Sequence, residues 1–487
     1  MTRPAASRPR PGDSEPGSAL PPPAWDRAVV LGGGYAGLLA ARVLTGHFRQ
    51  VTVIERDPPP APGEPATRSG VPQAHHPHAL LARGAEHLEE LFPGLREELA
   101  ARGCPVEDFA AATRMLFPTG WAPRIPVGFD VQLVARPALE QVLRERVTAL
   151  PSVTFRYGVR AEALLLDQQQ DGVGVTVRPR DGEARDEVVR ADLVVDATGR
   201  ATRLPRWLEE AGHPLPDTLV VDGKVTYASR FYTFRPDPGQ DWFASYQPTL
   251  APHSPRGGVA ARVGPDLWQL GLIGAGGQAP PADEDGFRAY AATLDNPDFA
   301  HIIDHGTPQG PVRQTRSTVN RWHRYDRLPH WPGRLIALGD SICALNPVYA
   351  QGMTVAARQA TLLDTLLTRH AHTARTKGAS GTLDRLGPVF QRRAAALARG
   401  PWLLNTSADR AWQPATAPLG TRLATRYLAA VTARLPHHPA LFLRFARSLH
   451  MLDGPTTLAT PRALAQLASL PSLPRHEAVC TCPAGSR

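Results

Sequence analysis

The sequence predicts an α/β fold: a parallel sheet whose strands are scattered along the chain, a mainly antiparallel sheet inserted between them, and a helical C-terminal region. Three observations carry this. Two short apolar runs, Ala28-Val29-Val30-Leu31 and Leu335-Ile336-Ala337-Leu338, have the composition of strands covered on both faces, and each runs straight into glycine. Between them, residues 221–275 mix Tyr, Phe, Val and Trp with Gly and Pro punctuation, the pattern of an antiparallel sheet. From Leu383 onward the apolar spacing is helical.

At 487 residues the chain is too long for one core, because domains stop growing near about 250–300 residues, so two or three lobes are expected. Residues 1–24 hold seven prolines and predict a disordered leader. The boundaries that follow are 25–110, 111–205 with interleaved strands, and 323–375 for a discontinuous nucleotide-binding lobe. The sheet lobe occupies 206–322, the helical region 376–475 and a flexible tail 476–487.

The apolar runs fall short of the roughly 18 residues of a membrane span, and the leader has no apolar segment behind its arginines. The expectation is a cytoplasmic protein without a transmembrane segment. Its four cysteines, Cys104, Cys343, Cys480 and Cys482, are too few and too uneven for a disulfide framework or a zinc site. The net charge is +9, but residues 385–475 hold twelve Arg against Asp409 and Asp453, so the excess is local and predicts no nucleic-acid partner. Lys224 and Lys377 are the only lysines, which limits any mechanism that needs one.

The first strand opens a strand–helix–strand unit. Gly32, Gly34 and Gly37 form G-x-G-x-x-G, a helix is expected from about Gly37 to Thr45, and Val51-Thr52-Val53-Ile54-Glu55 ends in an acid. Gly32 permits the tight turn, Gly34 lets the backbone approach a pyrophosphate, and Gly37 lets helix and strand pack. The helix N-terminus stabilises phosphate charge and Glu55 accepts from an adenosine ribose. This Rossmann-like fingerprint does not separate FAD from NAD.

Helical pattern continues from Val71 to about Leu99, and Pro137 opens a helix over 137–149. Strands are expected at 153–159, 173–177 and 188–195, and a helix at 351–369. In the C-terminal region, prolines at 401, 414, 418, 436, 439, 455 and 461 predict breaks. Leu423, Tyr427, Val431 and Leu435 fall four apart beside Arg422, Arg426 and Arg434, an amphipathic helix with a basic face.

Behind the second apolar strand come Gly339-Asp340-Ser341, Asn346-Pro347 and Gln351-Gly352-Met353. A helix starting near Gly352 would point its positive end at any anionic group bound before it. This run, placed after the early glycines, resembles the second flavin motif of FAD-dependent monooxygenases of the para-hydroxybenzoate hydroxylase type, group A. The resemblance implies FAD, with Asp340 on the ribityl chain and Pro347, Gly352 and Met353 against the isoalloxazine. It also implies an FAD contact from Arg136 and adds Arg56, Thr198 and Gly199 to the binding set. Asp196-Ala197-Thr198-Gly199-Arg200 occupies the place of the family's Asp-Gly motif, with Thr198 standing where the aspartate would be. The electron donor therefore stays open: NADPH or NADH acting directly, or a partner flavin reductase.

A narrower resemblance covers roughly residues 25–370. It runs through Gly70-Val71-Pro72-Gln73, His76, His78, Leu80-Leu81, the stretch from Leu88 to Gly94, Arg316-Ser317-Thr318-Val319-Asn320 and Tyr325-Asp326. These resemble the flavin epoxidases of polyether-ionophore biosynthesis and related tailoring monooxygenases. The implied reaction inserts one oxygen atom from O2, through a flavin C4a-hydroperoxide, into a lipophilic natural-product intermediate, by alkene epoxidation. Aromatic ring hydroxylation of a polyketide, and hydride transfer by a geranylgeranyl-reductase type of enzyme, are the alternatives. A flavin halogenase needs a substrate-side lysine and a W-x-W-x-I-P motif, where this chain has Trp121-Ala122-Pro123. A noncatalytic binding protein leaves the two-part flavin motif without purpose.

The cofactor carries the hard step, so no catalytic acid, base or nucleophile is assigned. Candidates for the substrate cavity are His76, His78, Tyr227, Phe231, Trp242, Phe243 and Trp268. His75, His76 and His78 do not read as a metal site, since Pro77 interrupts the helix they would need and no carboxylate stands beside them. Cys343 reads as a small packing residue.

Overall fold

The computed structural model describes residues 22–61, 72–78, 80–167, 172–180, 185–377, 383–413 and 418–460. Most of the expected leader and all of the expected tail lie outside them.

Five parallel strands form the central sheet, in the order Leu335–Ala337, Leu193–Asp196, Trp25–Leu31, Phe48–Glu55, Val153–Tyr157. Ala28, Val30, Val53, Leu193, Val194 and Ile336 are fully buried, as a sheet covered on both faces requires. One cover is the helix Tyr35–Leu44, packed beside the long helix Gly352–Lys377. The two apolar runs read from the sequence thus lie in one sheet, separated by a single strand.

The strand expected at 188–195 is two strands, Glu187–Ala191 and Leu193–Asp196. The first belongs to a three-stranded antiparallel sheet and the second to the parallel one. The expected helix from Val71 to Leu99 is also subdivided. Pro72–His75 is a single 3-10 turn, Leu80 bridges Gln132 in extended conformation, and helices run Ala82–Leu91 and Leu95–Ala101. Prolines 72, 77 and 93 and Gly94 at φ +77° supply the breaks.

The inserted sheet has seven strands, with Thr226–Thr233 and Leu267–Gly274 paired in antiparallel register as its second and third. One face, bearing Ala228, Tyr232, Trp268, Leu270 and Leu272, packs on the helices Glu284–Ala292 and Asp298–His305 through Phe287, Phe299 and Ile302. The other face bears Tyr227, Ser229, Gln269 and Gly271 and meets the segment around Pro77: a Cβ on Gly271 would lie 2.9 Å from Pro77 Cγ. That face looks toward the nucleotide-binding lobe.

The helix Leu386–Arg410 runs through Pro401, where a break was expected. Gly400 before the proline has no Cβ to clash with its ring. One turn later Asn405 Nδ2 donates to the Pro401 carbonyl oxygen at 2.8 Å. The amphipathic helix spans Leu419–Thr432, and its apolar stripe is buried only toward its end: Val431 and the following Leu435 are fully covered, whereas Leu423 is 56% exposed. Among the described residues no helix is long and apolar enough to cross a membrane.

Candidate functional site

The first strand ends at Gly32, whose φ of +93° favours glycine. A Cβ on Gly32 would lie 2.7 Å from the Ala197 carbonyl oxygen, and one on Gly37 would lie 1.8 Å from that of Gly32. Close backbone approach, of turn to neighbouring strand and of helix to turn, explains both residues. Gly34 stands at the cap position of the helix Tyr35–Leu44, with no side-chain cap and no acid in the first turn. The leading N–H groups are left to attract an anion, aided by the helix dipole.

Glu55 is buried at the end of its strand. Its Oε2 accepts the Gly33 N–H at 2.7 Å and its Oε1 accepts the Asp57 N–H at 2.9 Å, so the acid shapes the glycine turn. Arg56 beside it is exposed. From the helix Arg136–Thr148, the buried Arg144 donates through Nη2 to the Gly33 carbonyl oxygen at 2.8 Å, while its Nη1 has no partner. Nothing in the sequence reading singles out Arg144. Its one signal is that it and Arg136 flank Glu140 four residues away on either side, and Glu140 Oε1 pairs with Arg136 Nε at 2.8 Å.

The middle motif turns inward. Asp196, fully buried, accepts the N–H and the hydroxyl of Thr198 at 2.9 and 2.5 Å, and also the Thr202 hydroxyl. Burial raises its carboxyl above the ordinary range, while contacts with Thr198, Thr202 and Ser341 pull it back. A threonine in the aspartate's place thus caps its own strand end.

The late motif lies directly against the middle one. Gly199 donates to Ser341 Oγ at 2.9 Å, Leu338 donates to the Asp196 carbonyl oxygen at 2.9 Å, and a Cβ on Gly339 would stand 3.0 Å from Ala36 Cβ on the first helix. Arg200 donates to the carbonyl oxygens of Val319 and Leu345 and brings its Nε, which has no hydrogen-bond partner, to 3.6 Å from Asp340 Oδ2. Burial raises the Asp340 carboxyl, with Arg200 and then Arg136 opposing, yet its side chain is 34% exposed. The turn then passes Pro347–Tyr349, places Ala350 at φ +58°, and enters the helix at Gly352, with Met353 buried behind it.

Arg136, which acts on Asp340, acts also on His78. His76 Nδ1 shares a 2.9 Å hydrogen bond with Ser229 Oγ, and its ring meets the edge of Tyr227 at 4.4 Å between centroids. His78 donates from Nδ1 to the His76 carbonyl oxygen at 2.7 Å, leaving its Nε2 as an acceptor. Burial pushes both imidazoles down to about 3, with His75 adding to the effect on His76 and Arg136 to that on His78. Burial also raises the Tyr227 phenol, which Arg200 and Arg136 oppose. Arg136 therefore acts electrostatically on Asp340, His78 and Tyr227 alike, although they come from three distant stretches of sequence.

Phe231 follows Tyr227 on the same strand face. The other aromatic candidates are corrected by the structure. Trp242 and Trp268 pack edge to face at 5.3 Å in the core on the opposite side of the sheet. Phe243 sits under the Arg262 guanidinium, 5.3 Å away, at the margin of that sheet. Aromatic composition marked the sheet, but strand alternation decides which face each ring joins.

The residues present fit FAD: a helix start without a cap, glycines with no room for a Cβ, and buried guanidinium nitrogens on Arg144 and Arg200 without hydrogen-bond partners. Comparison with known proteins agrees. The FAD binding domain family matches residues 27–209. "Protein Rv3254" of Mycobacterium tuberculosis is 34% identical over 404 residues, covering 80% of this chain and 82% of the relative. Kynurenine 3-monooxygenase of Salinispora tropica is 27% identical over 375 residues, 71% of this chain and 73% of that one. The chain belongs to the FAD-binding monooxygenases of group A. A solved flavoprotein/dehydrogenase from Cytophaga hutchinsonii shares the fold of this monooxygenase, with a TM-score of 0.62, 15% identity, and coverage of 91% of this chain and 99% of that one.

Besides Arg144, the monooxygenase brings to the site Arg200, Ser229 and Ser341. Each hydrogen-bonds a residue more than a hundred positions away, a contact no local motif announces.

Proposed function

We propose that this monooxygenase inserts one oxygen atom from O2 into an electron-rich unsaturated carbon of a lipophilic natural-product intermediate, by alkene epoxidation. One observation carries the reading. Tyr227 and two neutral imidazoles gather with Asp340 around the cations Arg136 and Arg200, each cation paired with an acid, Arg136 with Glu140 and Arg200 with Asp340. Neutral rings beside charges that are already paired suit a lipophilic substrate better than a charged one.

FAD, when bound, supplies acceptance of hydride from NADPH or NADH, directly or through a partner reductase, and activation of dioxygen. The chain binds and orients it. Gly32, Gly34, Gly37 and the following helix start take the pyrophosphate, and Glu55 the ribose. Asp340 with Arg136 takes the ribityl chain, and Pro347 to Met353 the redox ring. The dipole of the helix Gly352–Lys377 favours negative charge at that ring. His78 Nε2 and the Tyr227 hydroxyl orient substrate polar groups without titrating near neutral pH.

Aromatic ring hydroxylation is the second reading, favoured by relatives named kynurenine 3-monooxygenase and resorcinol 4-hydroxylase. One experiment separates the readings: purified, FAD-loaded protein given NADPH and labelled O2 with an alkene-bearing or a phenolic lipophilic substrate. Alkene-dependent O2 uptake with one labelled atom in an epoxide supports the proposal. A ring-hydroxylated product moves it to the second reading, and reduction without O2 uptake refutes both. Asp340→Ala or Gly34→Val should abolish the yellow colour.

A further inference from the structure

Asp409, near the end of the helix Leu386–Arg410, is fully buried, and every group bonded to its carboxylate is a donor. Asn320 Nδ2 reaches Oδ2 at 2.5 Å, Asn346 Nδ2 lies 3.1 Å from both oxygens, and the Tyr349 hydroxyl donates to Oδ1 at 2.7 Å. No cation is among these partners. The helix is pressed against the sheet lobe at Gly223, where a Cβ would stand 2.5 Å from Asp409 Cγ.

Two of those donors, Asn346 and Tyr349, belong to the turn leading into Gly352. The same turn is held elsewhere: Asn346 donates its N–H to Asn320 Oδ1 at 2.7 Å, its side chain accepts the Val348 N–H at 3.1 Å, and Asn405 Nδ2 donates to Gln351 Oε1 at 2.9 Å. Ala350 inside it sits at φ +58°, a conformation that needs outside support in a residue other than glycine. The C-terminal helix therefore grips both ends of a strained turn, by Asp409 and, one turn of helix earlier, by Asn405.

We infer that Asp409 is a positioning residue that holds the turn at 346–351 in the shape required on the redox-ring side of the flavin. The inference rests on the reading of that turn as the ring-side contact. A neutral carboxylic acid carries a proton where donors already point, so protonation must displace an amide donor or reverse the hydrogen bond with the Tyr349 hydroxyl. Burial pushes the Asp409 carboxyl up to about 6, with Tyr349, Asn346 and Asn320 opposing and the nearby Asp222 adding to the rise. Asp222 is itself paired with Lys224 Nζ at 2.5 Å, and Tyr349 also faces Tyr246. The grip should loosen as pH falls through this range.

The test uses the full-length chain and measures FAD dissociation by flavin fluorescence, together with the visible spectrum and midpoint potential of the bound flavin. Asp409→Asn should weaken FAD binding by about tenfold, the loss of one charged hydrogen bond, and should shift the flavin band. Wild-type affinity should fall between about pH 7.5 and pH 5, while the asparagine variant stays flat over the same interval. Tyr349→Phe, which removes one donor, should weaken binding by about threefold and keep the pH dependence. Wild-type affinity, spectrum and pH dependence in Asp409→Asn overturn the inference. Should that variant fail to fold, an unchanged affinity and spectrum in Tyr349→Phe overturn it equally. If the wild type takes up no FAD, the functional reading falls and this inference with it; uptake with indifferent variants removes only the inference.

Discussion

Gly199 donates its backbone N–H to Ser341 Oγ at 2.9 Å across 142 positions of sequence, and the same serine helps hold the buried Asp196. One hydroxyl thus joins the turn after the Leu193–Asp196 strand to the turn after the Leu335–Ala337 strand. In Ser341→Ala a half-buried amide loses its acceptor and the buried Asp196 carboxyl a donor, at a cost of about 1–3 kcal/mol. Urea unfolding should show that loss, and FAD affinity should drop with it. A variant matching wild type in both would mean the two turns are held by strand pairing alone.

Gly37 should tolerate no side chain. Its added Cβ would lie 1.8 Å from the Gly32 carbonyl oxygen, and that atom is backbone, so the first helix must move away from the sheet. Gly37→Ala is expected to cost about 2–4 kcal/mol and to lower flavin content in parallel. Gly420→Ala, at an exposed position of the helix Leu419–Thr432 with nothing within 4 Å of its added Cβ, is the control and should lose no stability.

Buried histidines should make the protein acid-labile. Burial lowers His76 and His450 to about 3, so in each the folded pKa lies below the unfolded value near 6.5. Their contribution is intact above about pH 6.5 and is lost as pH falls toward 3. Asp409 has the opposite sign: its raised carboxyl takes up a proton more readily when folded, which adds stability as pH falls from about 6 to about 4. His78 and His323 are lowered by burial in the same way, so four buried histidines oppose the raised carboxyls of Asp196, Asp340 and Asp409, and the net slope below pH 6 is a loss. Urea unfolding free energies measured between about pH 7.5 and pH 4.5 should decline. His450→Asn should reduce the slope, and an unchanged slope would assign the acid lability elsewhere.

Much of the flavin lobe was legible because its signals are local. Strand, glycine turn, helix and acid follow one another within thirty-one residues from Trp25 to Glu55, and the late turn repeats the device after its own apolar strand. What the sequence withheld is face and partner. Trp268 and Gln269 are neighbours, yet pleating sends the first into the helix-covered core and the second toward the flavin lobe. Arg144 and Asp409 matter through contacts with residues 111 and 63 positions away, and neither lies in a motif. Pro401 misled for a simpler reason: a glycine before it and a side-chain amide after it let the helix continue.

The amphipathic helix offers a direct check of how far its stripe is used. Val431 is fully buried and Leu423 is 56% exposed, although both lie on the four-residue spacing. Val431→Ala should destabilise by about 1–3 kcal/mol, whereas Leu423→Ser should stay within about 0.5 kcal/mol. Equal losses would mean that something covers Leu423 in solution.

Gln269 supplies the last prediction. It is fully buried, beside Phe231 on the sheet face that looks toward the flavin lobe, and neither end of its amide has a hydrogen-bond partner. Leaving a buried amide unsatisfied costs about 1–3 kcal/mol, a penalty that a polar group of the substrate would relieve. Gln269→Met keeps the length and removes the polar atoms, so the unliganded protein should gain stability by roughly that amount. If the amide receives substrate, KM should rise about tenfold while FAD affinity stays unchanged. A more stable variant with the wild-type KM would show that Gln269 meets only internal water, and the polar anchor of the substrate would have to be sought at His78 or Tyr227.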